Sequence, residues 1–151
     1  MNRPFMTQTP FRADHSWKAG SENKMAIISL AVGSRVSLSR QFHVEILRGG
    51  MNRLLLRSSA TRSNPTRLEI YFPYVRHMDL PMRFDELTIS CEIGDGNLRP
   101  DIRELMLKPP VCYLFRLESR GSPAGHVVAG HCMYGEDEGS AGSASMFPVE
   151  A

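Results

Sequence analysis

A regular alternation of apolar and polar residues recurs along the middle of this chain. It is clearest over residues 87–93, where the two kinds of residue take turns: Leu87, Ile89, Cys91 and Ile93 against Thr88, Ser90 and Glu92. The same period of two recurs over residues 36–46, 68–72 and 111–117. Successive side chains of a β-strand point to opposite faces of a sheet. The pattern therefore predicts strands with one face on a core and the other toward solvent.

One segment departs from this alternation. Pro100 is favoured in the first turn of a helix, and Asp101 suits the positive N-terminal end of the helix dipole. Ile102 and Met106 share one helical face, and Pro109-Pro110 ends the helix. The sequence therefore predicts a mainly β fold, an antiparallel sandwich or a partly open barrel, with one short α-helix at about residues 100–107.

The two ends of the chain lack this alternation. Residues 1–24 hold Pro, Gly and scattered polar residues and predict an extended N-terminal arm. Residues 25–134 form the predicted β-rich domain, and residues 135–151 form an acidic Gly/Ser tail that we expect to be flexible. Apolar residues of both arms are expected to act as anchors on a partner: Phe5, Phe11, Trp17, Phe147 and Val149.

Charge is unevenly divided along the chain. Residues 1–83 hold 13 basic and 5 acidic side chains, whereas residues 84–151 hold 5 and 11. Nine arginines lie between residues 35 and 83, interleaved with aromatic residues. Arginine pairs well with phosphate and carboxylate, so this region faces nucleic acid, the acidic half of a neighbouring copy, or the acidic half of its own molecule. The arginines singled out for contact with a partner are Arg53, Arg57, Arg62 and Arg67.

Motifs that carry chemistry are scarce. The three cysteines are widely spaced, and we expect them to be buried hydrophobic residues in a reducing compartment. His126, His131 and Cys132 are the best metal candidates, but their spacing is not that of a zinc finger, a zinc ribbon or an H-E-x-x-H helix. A G-x-S-x-G nucleophile motif is also absent from the sequence. The sequence therefore predicts no catalytic residue, no cofactor and no bound metal.

Residues 87–123 resemble a known family. They run as an alternating strand, a Gly-Asp-Gly-Asn turn, a short helix, Pro109-Pro110, a second alternating strand and a Ser-Arg-Gly-Ser-Pro turn. This order resembles that of small bacteriophage minor tail proteins, and Phe72-Pro73 and Leu80-Pro81 upstream are similar to that family as well. The resemblance implies a structural subunit of a tail or baseplate, without catalytic residues.

Taken together, these features predict a non-enzymatic structural or assembly subunit of a multi-protein particle, with a phage tail or baseplate component as the first expectation. The alternative is a nucleic-acid-contacting accessory subunit of a ribonucleoprotein that uses the arginine-rich residues 35–83. Expected partners are other copies of the chain and neighbouring structural subunits, with nucleic acid in the alternative, and neither a membrane nor a small-molecule substrate. Without a secretory signal in residues 1–24 or an apolar run near the roughly 20 residues of a membrane span, we expect a virion or host cytoplasm location.

Overall fold

The alternating stretches form strands in the computed structural model, which describes residues 26–48, 52–94, 97–140 and 142–147. These residues contain nine strands and one helix, in this order: β1 (Ile27–Ser29), β2 (Arg35–Arg48), β3 (Arg53–Ser58), β4 (Arg67–Phe72), β5 (His77–Asp79), β6 (Arg83–Cys91), α1 (Pro100–Leu107), β7 (Tyr113–Ser119), β8 (Ser122–Ala129) and β9 (Met133–Asp137). The helix has its predicted bounds, because a proline fits its first turn and the two prolines that follow Lys108 cannot continue it.

All nine described strands belong to one antiparallel sheet, in the order β1-β9-β4-β3-β2-β6-β7-β8-β5. The sheet does not close, so β1 and β5 lie at its two edges. The prediction of a mainly β fold with one short helix is confirmed for this part of the chain. Of the two predicted architectures, one continuous sheet corresponds to the partly open barrel rather than to a sandwich of two separate sheets.

The sheet curls strongly around its core. Strands β4 and β7 are four places apart in the sheet, which would separate them by about 19 Å if it were flat. Yet Phe72 of β4 and Phe115 of β7 lie edge to face with their ring centroids 5.5 Å apart. Residues from β2, β3, β4, β6, β7, β8 and β9 therefore share one hydrophobic core.

Two strands were not predicted, and one predicted strand ends early: β6 ends at Cys91, and Ile93, which was expected on its core face, is 80% exposed. Strand β5 has only three residues, too few to show an alternating pattern. Strand β9 contains Gly135 and acidic residues, which are uncommon in strands. Pairing with longer neighbours, β8 and β4, supplies the hydrogen bonds that hold them in the sheet. Because β9 continues to Asp137, the sheet extends past the domain boundary predicted at residue 134.

The helix covers the outer face of β7 and β8. Ile102 and Met106 pack there against Cys112, Leu114 and Val128, in a cluster separate from the main core. Among the helices of the described residues, none has the length and hydrophobicity needed to cross a bilayer.

Candidate functional site

Strand β4 is buried on both of its faces. Its apolar residues at even positions point into the core, as the alternation predicts. Its other residues, Arg67, Glu69 and Tyr71, were expected to face solvent, but they are 2%, 0% and 3% exposed. Several of the chain's own residues 138–147, here called the C-terminal segment, contact this outer face. Buried charges need partners, and the segment supplies several of them.

Arg67 binds the segment through its guanidinium group. Its Nε and Nη2 donate to the two carboxylate oxygens of Asp137 at 2.9 and 2.6 Å. Its Nη1 donates to the carbonyl oxygens of Ser140 and Ser143 at 3.0 and 3.2 Å, and Nη2 donates to that of Ala144 at 3.1 Å. Hydrogen bonding to Asp137 raises the pKa of Arg67. This bidentate ion pair with Asp137 orients the guanidinium, so that its remaining N–H donors face the backbone of the segment.

Glu69 binds the next part of the segment. Its Oε1 accepts hydrogen bonds from the Ser145 hydroxyl at 2.7 Å and from the Met146 backbone amide at 3.0 Å. Its Oε2 accepts from Nε of Arg57 at 2.7 Å, and Arg57 also lies 3.3 Å from Glu45. Both oxygens of this fully buried carboxylate are therefore hydrogen-bonded, which offsets the cost of removing it from water.

An aromatic contact completes the site. Phe147 stacks on Tyr71 with ring centroids 5.2 Å apart and ring planes 21° apart. Both rings pack with Leu55, and Met133 and Met146 lie against them. Burial raises the pKa of Tyr71. Five residues of β3 and β4 thus form one binding surface for the C-terminal segment, here called the cradle: Leu55, Arg57, Arg67, Glu69 and Tyr71.

Gly139 shows how closely the segment approaches the cradle. A Cβ atom at this position would lie 2.5 Å from Nη2 of Arg67 and 2.9 Å from the Ser143 hydroxyl oxygen. No other residue type fits there without displacing the guanidinium. A Cβ atom at Gly142, by contrast, would meet nothing within 4 Å. The two glycines of the segment therefore differ in role, and only the first is required by the packing.

Most of the arginines predicted to face a partner contact their own chain. Arg57 and Arg67 belong to the cradle, Arg62 is exposed in the connection between β3 and β4, and Arg53 is half-buried on β3. Among the described side chains of the nine arginines between residues 35 and 83, Arg53 is not free, and polar contacts within the molecule are made by Arg35, Arg40, Arg57, Arg67 and Arg76. Ion pairs such as Arg67–Asp137 join the basic half of the chain to its acidic half, as the third interpretation of the charge pattern predicts.

The three candidate metal ligands do not form a site. His126 is half-buried beside His77, His131 is exposed, and Cys132 lies in the main core. In the described part of the chain, no group of three or more His, Cys, Asp or Glu side chains has an arrangement that could hold a metal ion. All three cysteines are free and buried, as predicted.

The terminal anchors divide into two groups. Phe5, Phe11, Trp17 and Val149 lie outside the described residues. Phe147 is 5% exposed and docks on its own domain. Three members of this site were not predicted as site residues: Glu69, Gly139 and Ser145. In sequence, Glu69 looks like a solvent-facing position of a strand, and Gly139 and Ser145 look like parts of a polar linker. The available signal was the apolar stretch of residues 146–149 near the end of an otherwise polar tail.

Searches with this chain against protein-family models, curated proteins and solved structures found no match. Its function must therefore be inferred from its residues and their geometry.

Proposed function

We propose that this protein is a non-enzymatic structural subunit of a multi-protein particle, in which the terminal segment of one subunit docks on the sheet of another. The observation that carries this proposal is the cradle. It recognises the C-terminal segment by backbone carbonyls through Arg67, by a serine and an amide through Glu69, and by an aromatic ring through Tyr71.

The chemistry of the cradle suits binding. Its charged groups are buried and engaged by one another and by the segment, so their role is to hold a partner in one geometry. The ion pairs Arg57–Glu69 and Arg67–Asp137 lie within the sheet, whereas Oε1 of Glu69 and Nη1 of Arg67 are hydrogen-bonded by the segment. Docking of a segment therefore completes the hydrogen bonds of these two groups and buries the Tyr71 ring, which favours the occupied cradle.

Exchange between copies preserves every one of these contacts. Glu138 and Gly139 connect the segment to strand β9. Glu138 is exposed, and a Cβ atom at Gly142 would meet nothing within 4 Å. If this connection is extended, the segment reaches the cradle of an adjacent copy and makes the same hydrogen bonds there. Exchange of an identical element is a low-cost route to an oligomer. The expected partners are thus other copies of this chain and subunits with a similar segment.

The class of particle is proposed from the sequence resemblance. Strand β6, helix α1, Pro109-Pro110 and strand β7 follow one another in the order seen in residues 87–123. That order supports a component of a phage tail or baseplate, located in the virion or in the host cytoplasm during assembly.

Oligomer formation by the purified full chain tests the proposal. Light scattering coupled to size-exclusion chromatography should show a species larger than a monomer that grows with concentration. If the chain stays a monodisperse monomer over the whole accessible range, with its C-terminal segment resistant to protease, the proposal is rejected.

A mixing experiment tests exchange itself. Phe147→Ala removes the ring from the segment but keeps the cradle, whereas Tyr71→Ala does the reverse. Each variant alone should oligomerise weakly, because it has no intact ring pair. A mixture should regain oligomers, since the segment of the Tyr71→Ala chain meets the intact cradle of the Phe147→Ala chain. A mixture that behaves as the sum of its components would show that docking occurs only within one chain.

A further inference from the structure

A cleft of about 290 Å³ is lined by residues that do not belong to the cradle. Strands β2 and β6 form one side of it, and the connection between β3 and β4 forms the other. The pairing of β2 with β6 is irregular between Leu38 and Gln41, next to the cleft. Such irregularities bend a strand and redirect its side chains, which here opens space beside the sheet.

The loop side of the cleft is braced by hydrogen bonds. The Thr61 amide donates to the Asn64 carbonyl oxygen at 2.7 Å, and the Asn64 amide donates to the Thr61 hydroxyl oxygen at 3.1 Å. Arg40 donates through Nη1 to the carbonyl oxygen of Thr66 and through Nη2 to its hydroxyl oxygen, both at 2.6 Å. The polar groups of the loop are therefore held in place before any ligand arrives, which lowers the entropic cost of binding.

The charges that line the cleft leave one cation uncompensated. Arg40 lies 3.3 Å from Glu136, and burial lowers its pKa while Glu136 opposes that shift. Asp85 accepts a hydrogen bond from Gln41 at 2.9 Å and lies 3.8 Å from Arg120, and Nε2 of His43 lies 2.7 Å from Glu45. Arg83 is exposed and has no ion-pair or hydrogen-bond partner among the described residues. Its guanidinium is thus available to an anion.

We propose that this cleft binds the phosphate of a small, hydroxyl-bearing phosphate ester, with Arg83 as the anion ligand. Arginine offers a planar fork of donors that matches phosphate. Ser59, Thr61 and Asn64 line the opposite wall and supply the hydroxyl and amide groups that bind sugar hydroxyls. The site shares no residue with the cradle and goes beyond the proposed assembly role.

The floor and size of the cleft limit what enters it. Phe42 and Phe84 form part of its lining and are each 1% exposed. Both residues also belong to the main hydrophobic core, so packed apolar residues close the cleft on that side. A volume near the lower limit of small-molecule sites, about 300 Å³, suits one sugar phosphate. The same chemistry occurs in a free sugar phosphate or nucleotide and in a single nucleotide unit of a nucleic-acid strand.

Titration of the full chain with ribose 5-phosphate, followed by amide chemical shifts in NMR, tests the site. Amides of residues 40–43, 59–64 and 83–85 should shift together, and ribose without phosphate should leave them in place. Arg83→Gln should weaken binding by about tenfold or more, because it removes a charge-assisted hydrogen bond. Arg99→Gln is the matched control: Arg99 is also exposed and lies by the helix, away from the cleft lining. Since Arg83 has no partner in the described structure, its variant should keep the wild-type melting temperature.

Two further titrations identify the source of the phosphate. A single-stranded oligonucleotide that binds more tightly than ribose 5-phosphate, with an affinity that falls as salt rises and with the same dependence on Arg83, would assign the site to a nucleic-acid strand. Equal or tighter binding of the small ester would assign it to a free metabolite. If neither ligand shifts the cleft amides, or if Arg83→Gln binds as well as wild type, the phosphate site is rejected.

Discussion

His126 of β8 stacks on His77 of β5, with ring centroids 5.0 Å apart. Its Nε2 atom is buried and has no hydrogen-bond partner in the described part of the chain. Burial lowers the pKa of His126 from its ordinary value of 6.5, His77 and Arg116 lower it further, and Asp79 opposes them. The imidazole is therefore neutral in the folded protein near neutral pH, and a proton on it would place a charge beside a second histidine at an edge strand.

We predict that acid destabilises the fold through His126. Its pKa is lower in the folded than in the unfolded state, so the unfolded chain binds the proton first. The contribution of neutral His126 to the unfolding free energy is then complete above about pH 6.5, and it is lost as the pH falls toward the lowered pKa of this residue. His126→Phe, which keeps a stacked ring without a titrating group, should reduce the loss of unfolding free energy between about pH 7.5 and pH 5 in urea titrations. His131→Gln, at an exposed position, should not, and equal pH dependence in wild type and His126→Phe would contradict the prediction.

The cysteines are expected to be unreactive in the folded state. Burial raises the pKa of Cys91 to about 11 and that of Cys132 well above its usual value. Because the thiolate is the reactive form, a thiol reagent at about pH 8 should label none of the three cysteines rapidly, and all three after unfolding. Rapid labelling of Cys132 in native buffer would contradict this burial.

At the scale of elements, the link between helix α1 and the sheet depends on Arg76. Its Nη1 donates to the carbonyl oxygens of Leu105 and Lys108 at 3.0 and 2.8 Å, and Nη2 donates to that of Pro109 at 2.9 Å. The last carbonyls of a helix have no partner within the helix, and a cation there also suits the helix dipole. One arginine from the connection between β4 and β5 thus caps the helix and ties it to the sheet.

We predict that Arg76→Ala lowers the unfolding free energy by about 1–3 kcal/mol, because it leaves three carbonyl oxygens without this donor. Arg76→Lys, which keeps the charge but not the planar fork, should recover part of that loss. Chemical denaturation measures both, and hydrogen exchange should be faster at residues 105–108 in the alanine variant. If Arg76→Ala leaves the protection of the helix unchanged, Arg76 does not act as its cap.

At the scale of the whole molecule, two segments cover different parts of the outer face of one curled sheet. The helix covers the outer face of β7 and β8, and the C-terminal segment covers that of β3, β4 and β9. The second cover depends on close approach at Gly139, where any side chain meets Arg67.

We predict that Gly139→Ala lowers the unfolding free energy by about 1–3 kcal/mol, the usual cost of overpacking, and makes the C-terminal segment accessible to protease. Gly142→Ala is the matched control, because a methyl group there meets open space, and it should behave as wild type. Thermal unfolding and limited proteolysis of the two variants give the comparison. Equal behaviour of the two would show that the segment is not held by Arg67.

How far the sequence predicts this structure depends on the range of the interaction. The strand alternation and the helix of residues 100–107 were predictable because both depend on neighbours within a few residues: side-chain period, proline position and dipole charges. The strands β5 and β9 were not, because they depend on pairing with distant residues, such as Tyr134 with Ile70.

The sequence by itself determined that this chain is mainly β, that residues 100–107 form its helix in the described structure, and that its cysteines are buried. Only the tertiary structure decided where the polar face of β4 points. In sequence, Arg67, Glu69 and Tyr71 have the pattern of a solvent-facing set, and residues 135–151 have that of a free tail. The curled sheet brings them together across more than 70 residues, and the burial of a charge is stable only where the fold supplies its partner. That juxtaposition created the cradle, on which the proposed assembly role depends.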